Sequence, residues 1–202
     1  MAHALLSNEE RIERETAFEE ETFEGLDLAG AKLSGKEFRR CAFRGAKLNQ
    51  TAWNGTVLED CIFDRCDLSN MVPKGASLRG VEFRDSKLIG VTWADLRSEP
   101  MFTFVECNMR YQSFAKLDAR LTKLAGCAIE EASFLEVNLT KAVFKNCSLA
   151  KTTIEKCVLT GADFSSSTGV FFDPSRNKSR GARISAETAV LIASAMGLVV
   201  AR

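Results

Sequence analysis

Seven cysteines and one histidine are the residues of this 202-residue chain best equipped for chemistry. Thiolates bind soft metals, cross-link as disulfides or act as nucleophiles, and histidine is their usual companion in such sites. Their spacing argues for another use. Each of Cys41, Cys61, Cys66, Cys107, Cys127, Cys147 and Cys157 stands two residues ahead of a large apolar side chain. Elsewhere the same slot holds Ala31, Ala46, Thr51, Ala76, Ala132, Ala142 or Ala162. Cysteine in that company is a small buried filler. The lone histidine, His3, leaves a Cys/His metal site without partners. No Ser/His/Asp, metal-ligand or phosphate-cradle constellation is present, so no catalytic residue, metal or cofactor is expected, and the chain reads as a non-enzyme.

The elements that hold these residues are set by a five-residue period. Large apolar residues recur at Phe18, Phe23, Leu28, Leu33, Phe38, Phe43, Leu48, Trp53, Leu58, Phe63, Leu68, Leu78, Phe83, Leu88 and Trp93, with Pro73 in the series. The register then slips by one residue. It resumes at Phe104, Met109, Phe114, Ala119, Leu124, Ile129, Phe134, Leu139, Phe144, Leu149, Ile154, Leu159 and Phe164. Neither a helix nor a flat strand produces this period. Identity also tends to repeat every twentieth residue, as in Phe23, Phe43, Phe63 and Phe83. Four five-residue units per turn describe a coil with four short sides and its bulky groups on the axis. One large and one small inward position per side would fill a narrow tube without voids. At a strand-like rise of about 4.8 Å per coil, the 150 or so residues concerned make a rod on the order of 36 Å long. Cys107, Cys127 and Cys147 fall in one column, near enough by backbone distance for a disulfide. The odd count and the packing role instead predict free thiols in a reducing cytoplasm.

The period divides the chain into an N-terminal cap (1–17), a solenoid (18–168, interrupted near 94–103) and a C-terminal cap with a dimerisation helix (169–202). Ser7 and Glu10 fit a capping box for a short polar helix over about 7–15. At the other end Ser185 reads as an N-cap, Glu187 suits a first turn and Gly197 a C′ position. The helix between them is apolar nearly all round, so one face covers the last coil and the other needs a partner. A two-fold copy would supply it, with Val190, Leu191, Ala195, Met196, Leu198 and Val200 in the seam. The irregular column Leu33, Trp53, Pro73, Trp93 is placed on the same side as the slip, and a local distortion or kink is expected near Pro73–Phe102. Leu96, Arg97, Glu99, Pro100 and Met101 are expected to be exposed there and to contact a partner.

Lysine plus arginine and aspartate plus glutamate both number 27. The first 24 residues hold eight acids against two bases, and the rod between the two ends holds 20 bases against 18 acids. No basic stripe recommends direct nucleic-acid binding, and no apolar run is long enough to span a bilayer.

The repeat as a whole resembles the pentapeptide-repeat proteins. That resemblance implies an all-β fold, a right-handed quadrilateral β-helix with a short N-terminal cap and a C-terminal α-helix. The stretches Lys87-Leu-Ile-Gly-Val-Thr-Trp93 and Phe104-Val-Glu-Cys-Asn-Met-Arg-Tyr-Gln-Ser-Phe114 are similar to the corresponding region of the McbG and AlbG immunity proteins. The tail from Phe172 to Val200 resembles the dimerisation module they share with Qnr and MfpA. These likenesses imply a homodimer that engages DNA gyrase, with topoisomerase IV as a further candidate, and protects it from a poison without chemistry. Mimicry of duplex DNA is the implied means. The alternative is a β-helical interaction scaffold unrelated to topoisomerases.

Overall fold

A chain that sends one large side chain to the axis every fifth residue has three residues to spend on each side and two on each corner. The computed structural model, which describes residues 7–97 and 100–201, is built this way. Strands β1 (Ala17–Glu19), β2 (Thr22–Glu24), β3 (Glu37–Arg39), β4 (Ala42–Arg44), β5 (Val57–Glu59) and β6 (Ile62–Asp64) are each three residues long with the central residue buried. They pair in parallel with the strand one coil later, Phe18 opposite Phe38 and Phe23 opposite Phe43. The other two sides meet through single parallel bridges such as Asp27 to Lys47 and Lys32 to Ala52. About seven coils stack as a right-handed, four-sided β-helix. Parallel bridges run on past the periodic stretch to Lys178 and Arg183.

Corners are left-handed whatever residue occupies them. Gly25, Gly30 and Gly35 have φ of 63°, 72° and 71°, but so do many side-chain-bearing residues, among them Glu20 (57°), Tyr111 (59°) and Leu121 (62°). The conformation costs a residue with a Cβ about 1 kcal/mol, so the inter-coil ladder and the packed axis hold these corners in place. Glycine is indispensable at position 169, where a Cβ would lie 2.6 Å from the Ala150 amide nitrogen.

All 29 axis positions are buried, Pro73 and Ala119 included. Rings stack coil on coil: Phe23 on Phe43 at 5.0 Å, Phe43 on Phe63 at 4.9 Å, Phe63 on Phe83 at 5.2 Å and Phe83 on Phe104 at 5.1 Å. These centroid distances are close to the strand spacing, so the backbone ladder and the aromatic column reinforce one register. At Leu117 and Ala119 the large and small slots are exchanged, and both are buried.

The small slot also has a polar duty. Its side chain donates to the carbonyl of the large residue 23 positions earlier: Thr56 to Leu33 (2.8 Å), Cys61 to Phe38 (3.3 Å), Thr152 to Ile129 (2.6 Å) and Ser167 to Phe144 (2.8 Å). Cysteine, serine and threonine therefore fill space and satisfy a buried oxygen together. All seven thiols are free and buried.

The ends are covered as the cap signals indicate. Helix α1 (Asn8–Arg14) carries the Ser7/Glu10 capping box and buries Ile12. Arg11 ties it to the first coil through Glu21 at 2.9 Å, and the Lys36 Nζ donates to the Glu15 carbonyl at 2.6 Å. Helix α2 (Ala186–Ala195) has Ser185 as N-cap and buries Thr188 and Ile192 against the last coil. It ends at Ala195, and Gly197 turns the chain with φ of 81°, so Leu198 and Val200 lie beyond the helix and not on it. Among the described residues no helix is long and apolar enough to cross a membrane.

Candidate partner-docking surfaces

The register slip is confined to one side of one coil. Arg97 N donates to the Ala76 carbonyl at 2.9 Å, in the ordinary coil-to-coil relation. Three positions past Ala76, in β7 (Ser77–Arg84), Arg79 faces Met101, the first residue of β9 (Met101–Val105) and 22 residues away. A bulge at Gly80 then returns one residue, so Val81 faces Phe102 and Phe83 faces Phe104, 21 apart. One coil later the interval is 20 again, with Thr103 opposite Lys123. The column Leu33, Trp53, Pro73, Trp93 lies on the preceding side, not on that of the slip. From Trp93 onward that side is regular: β8 (Thr92–Trp93), β10 (Ser113–Ala115), β12 (Ser133–Leu135) and β14 (Thr153–Glu155) form a four-stranded parallel sheet.

Two indoles are accommodated in this region by polar partners in the small slots. Trp53 Nε1 donates to Thr51 Oγ1 at 2.7 Å. Trp93 Nε1 donates to Gln112 Oε1, and Gln112 Nε2 donates in turn to the Leu88 carbonyl. Gln112 is 1% exposed. Its bond to Leu88 spans 24 residues where the same contact elsewhere spans 23, because the extra residue lies between them.

Of the residues expected at the interruption, Arg97 is exposed and Met101 is 65% exposed. Leu96 is half-buried against the core. Pro100 is buried rather than exposed, because the chain turns inward there to deliver Phe102, whose ring lies 5.6 Å from that of Trp93 and 5.0 Å from that of Phe104. Glu99 lies outside the described residues. Beside the slip is a hollow of about 720 Å³ lined by Pro100, Met101 and Phe102, by Leu121, Thr122 and Lys123, and by Lys141 and Val143 of the next coil. Leu121 and Val143 are 60% and 39% exposed, so with Met101 they form an apolar cluster on an otherwise polar corner. Sequence reasoning reached the interruption but not Leu121, Thr122 or Val143; the signal available was a leucine in a corner position held mostly by glycine, asparagine or charged residues.

The second surface is the outer face of α2. Val190, Leu191, Ala195, Met196, Leu198 and Val200 are all exposed. An adjoining groove of about 700 Å³ is lined by Ile154, Phe171, Ile192 and Met196, with the Arg176–Glu155 ion pair (3.2 Å) at its side. Val199 is 96% exposed.

Three columns on the N-terminal coils alternate in charge from coil to coil. The facing columns are Glu19, Arg39, Glu59, Arg79; Glu24, Arg44, Asp64, Arg84; and Asp27, Lys47, Asp67, Lys87. Contacts close along them, Arg44 to Glu24 at 3.4 Å and Lys47 to Asp27 at 2.9 Å. Along these columns acids face bases one coil away, which keeps the charge of these coils locally balanced. Among the described residues no cluster of histidine, cysteine, aspartate and glutamate could hold a metal ion.

Comparison with known proteins places this geometry. The family model described as a pentapeptide repeat region matches residues 36–102, and that described as pentapeptide repeats (8 copies) matches 127–166, together more than half of the chain. The quinolone resistance pentapeptide repeat protein QnrB96 of Scandinavium goeteborgense is 32% identical over 146 residues. That alignment takes in 69% of this chain and 60% of the relative's length. Two trypsin-treated forms of QnrB1, described as a plasmid-mediated fluoroquinolone resistance protein, share the fold at 21% and 22% identity. Both cover 92% of this chain and 90% of their own, with TM-scores of 0.55 and 0.54. Square coils, left-handed corners, a stacked Phe axis and both family models agree: the chain belongs to the pentapeptide-repeat protein family, and within it resembles the Qnr proteins.

Proposed function

We propose that this protein is a non-catalytic protection factor for a type II topoisomerase, DNA gyrase first and topoisomerase IV second, that counters a poison of the enzyme by binding. The observation that carries the reading is the 32% identity to QnrB96 over 69% of this chain. The interruption supports it, since a rigid solenoid with one irregular coil has one natural place for a specific contact. Contact is assigned to Arg97, Met101 and the hollow beside them, with Leu96 and Pro100 as their inner support and Glu99 adjoining in sequence. The protein acts in the cytoplasm as a homodimer joined through α2 and the residues beyond it. An exposed apolar face of this size is the kind normally covered by a like copy. The resemblance of 87–93 and 104–114 to McbG and AlbG adds microcin B17 and albicidin to fluoroquinolones as poisons to test.

The alternating charge columns favour a second reading, a protein-interaction scaffold unrelated to topoisomerases. Mimicry of duplex DNA calls for unpaired acids along the rod, and over four coils the acids face bases. Supercoiling by purified gyrase, titrated with fluoroquinolone, albicidin and microcin B17 with and without excess protein, decides between them. Restored supercoiling with at least one inhibitor supports protection. Identical inhibition curves for all three reject it in favour of the scaffold.

A further inference from the structure

We propose that the hollow beside the register slip receives an acidic segment of another protein, anchored by one exposed apolar side chain. The proposal rests on the reading that the interruption is the contact surface, and adds the chemistry of what it contacts. Two observations converge on it. Met101, Leu121 and Val143 surround the opening as exposed apolar groups on a corner of the rod, a lining suited to a hydrophobic anchor and not to a phosphate backbone. Among the described residues the charge around it is positive. The acids in the wall, Asp118 and Glu82, are bound to Arg120 (2.9 Å) and Arg84 (2.7 Å), while Lys123 and Lys141 have no ion-pair partner among the described residues. This contrasts with the coils above, where bases face acids column by column.

The test uses the full chain and fluorescein-labelled 12-residue peptides in anisotropy titrations at 50 and 300 mM salt. One peptide is rich in Asp and Glu with a central Leu, a second has Ser in place of that Leu, a third has Lys for every acid, and a 20-base-pair duplex DNA completes the set. The expected result is binding of the first peptide, at least tenfold weaker binding of the second and none of the third. The double variant Lys123→Glu/Lys141→Glu and the single variant Leu121→Ser each weaken the first peptide at least tenfold. Arg44→Glu, on the charge-paired coils, leaves it unchanged, and circular dichroism of each variant verifies folding. Equal binding of the Leu and Ser peptides, indifference to charge reversal, or preference for the duplex overturns the proposal. No gyrase is present, so the outcomes separate: inhibitor protection without peptide binding rejects this inference alone, and peptide binding without protection rejects the topoisomerase reading alone.

Discussion

Gln112 serves two neighbours from one interior slot, accepting from the Trp93 indole and donating to the Leu88 carbonyl. Replacing it by leucine keeps the volume but strands both groups away from water, each at about 1–3 kcal/mol. Gln112→Leu should therefore lower unfolding free energy by about 3 kcal/mol in urea titrations, with part recovered by adding Trp93→Phe. Recovery is the informative half, since a purely steric role for Gln112 gives none. Cys66 yields a second expectation. Burial raises its thiol from 9.0 to about 11, so between those values the unfolded chain has lost a proton that the folded chain keeps. Folding then binds more protons than unfolding, and stability falls as pH rises through that window. The stability difference between wild type and Cys66→Ala should shift against the wild type from pH 9 to 11; a pH-independent difference rejects the assignment. The filler role of the cysteines was legible in the sequence from their place two before each large residue. Gln112 was not, because a glutamine in that slot makes sense only once Trp93 is known to lie one coil away with the extra residue between them.

At the scale of elements, sequence signals served the caps well and the interruption less well. The Ser7/Glu10 box and the Ser185 cap are local hydrogen-bond patterns, legible from a few adjacent residues. Where α2 stops is also local: the left-handed Gly197 ends it, which places Leu198 and Val200 past the helix. The burial of Pro100 is not local. It depends on the turn that delivers Phe102 to the axis, and a five-residue period offers no guidance where the period itself fails. For α2, a charged side chain placed in the proposed seam should separate the protomers without unfolding the rod, since both target side chains are exposed in the single chain. Leu191→Arg and Met196→Arg should sediment as monomers against a dimeric parent, and an unchanged mass for both rejects the seam.

The whole molecule has two halves with different cross-sections. Before the slip, extended strands occupy two adjacent sides; after it, β11 (Lys123–Ala125) and β13 (Val143–Lys145) lie on one side and the β10–β14 sheet on another, with single bridges on the sides between them. The N-terminal half carries its alternating charges as a register code, because a displacement by one coil would set like charges face to face. Arg44→Glu puts three acids in one column and should lower Tm by about 2 °C at low salt, an effect that shrinks in 1 M salt. An unchanged melting point at low salt shows the columns to be neutral to stability. This code was open to view in the primary structure at intervals of twenty, since it needs only the coil length to be seen.

The extra residue between Arg97 and Phe102 behaves as a dislocation does in a crystal. Stacked rings above and below, and interior donors reaching back 23 residues on either side, lock each half into its own phase. To migrate by a single coil the defect would have to turn twenty residues inside out, so thermal motion cannot move it. Evolution can alter it only by insertion or deletion, and removing one residue there would heal the fault and erase the hollow beside it. The position of the proposed contact surface is thus written into chain length, and substitutions elsewhere in the rod leave its address unchanged.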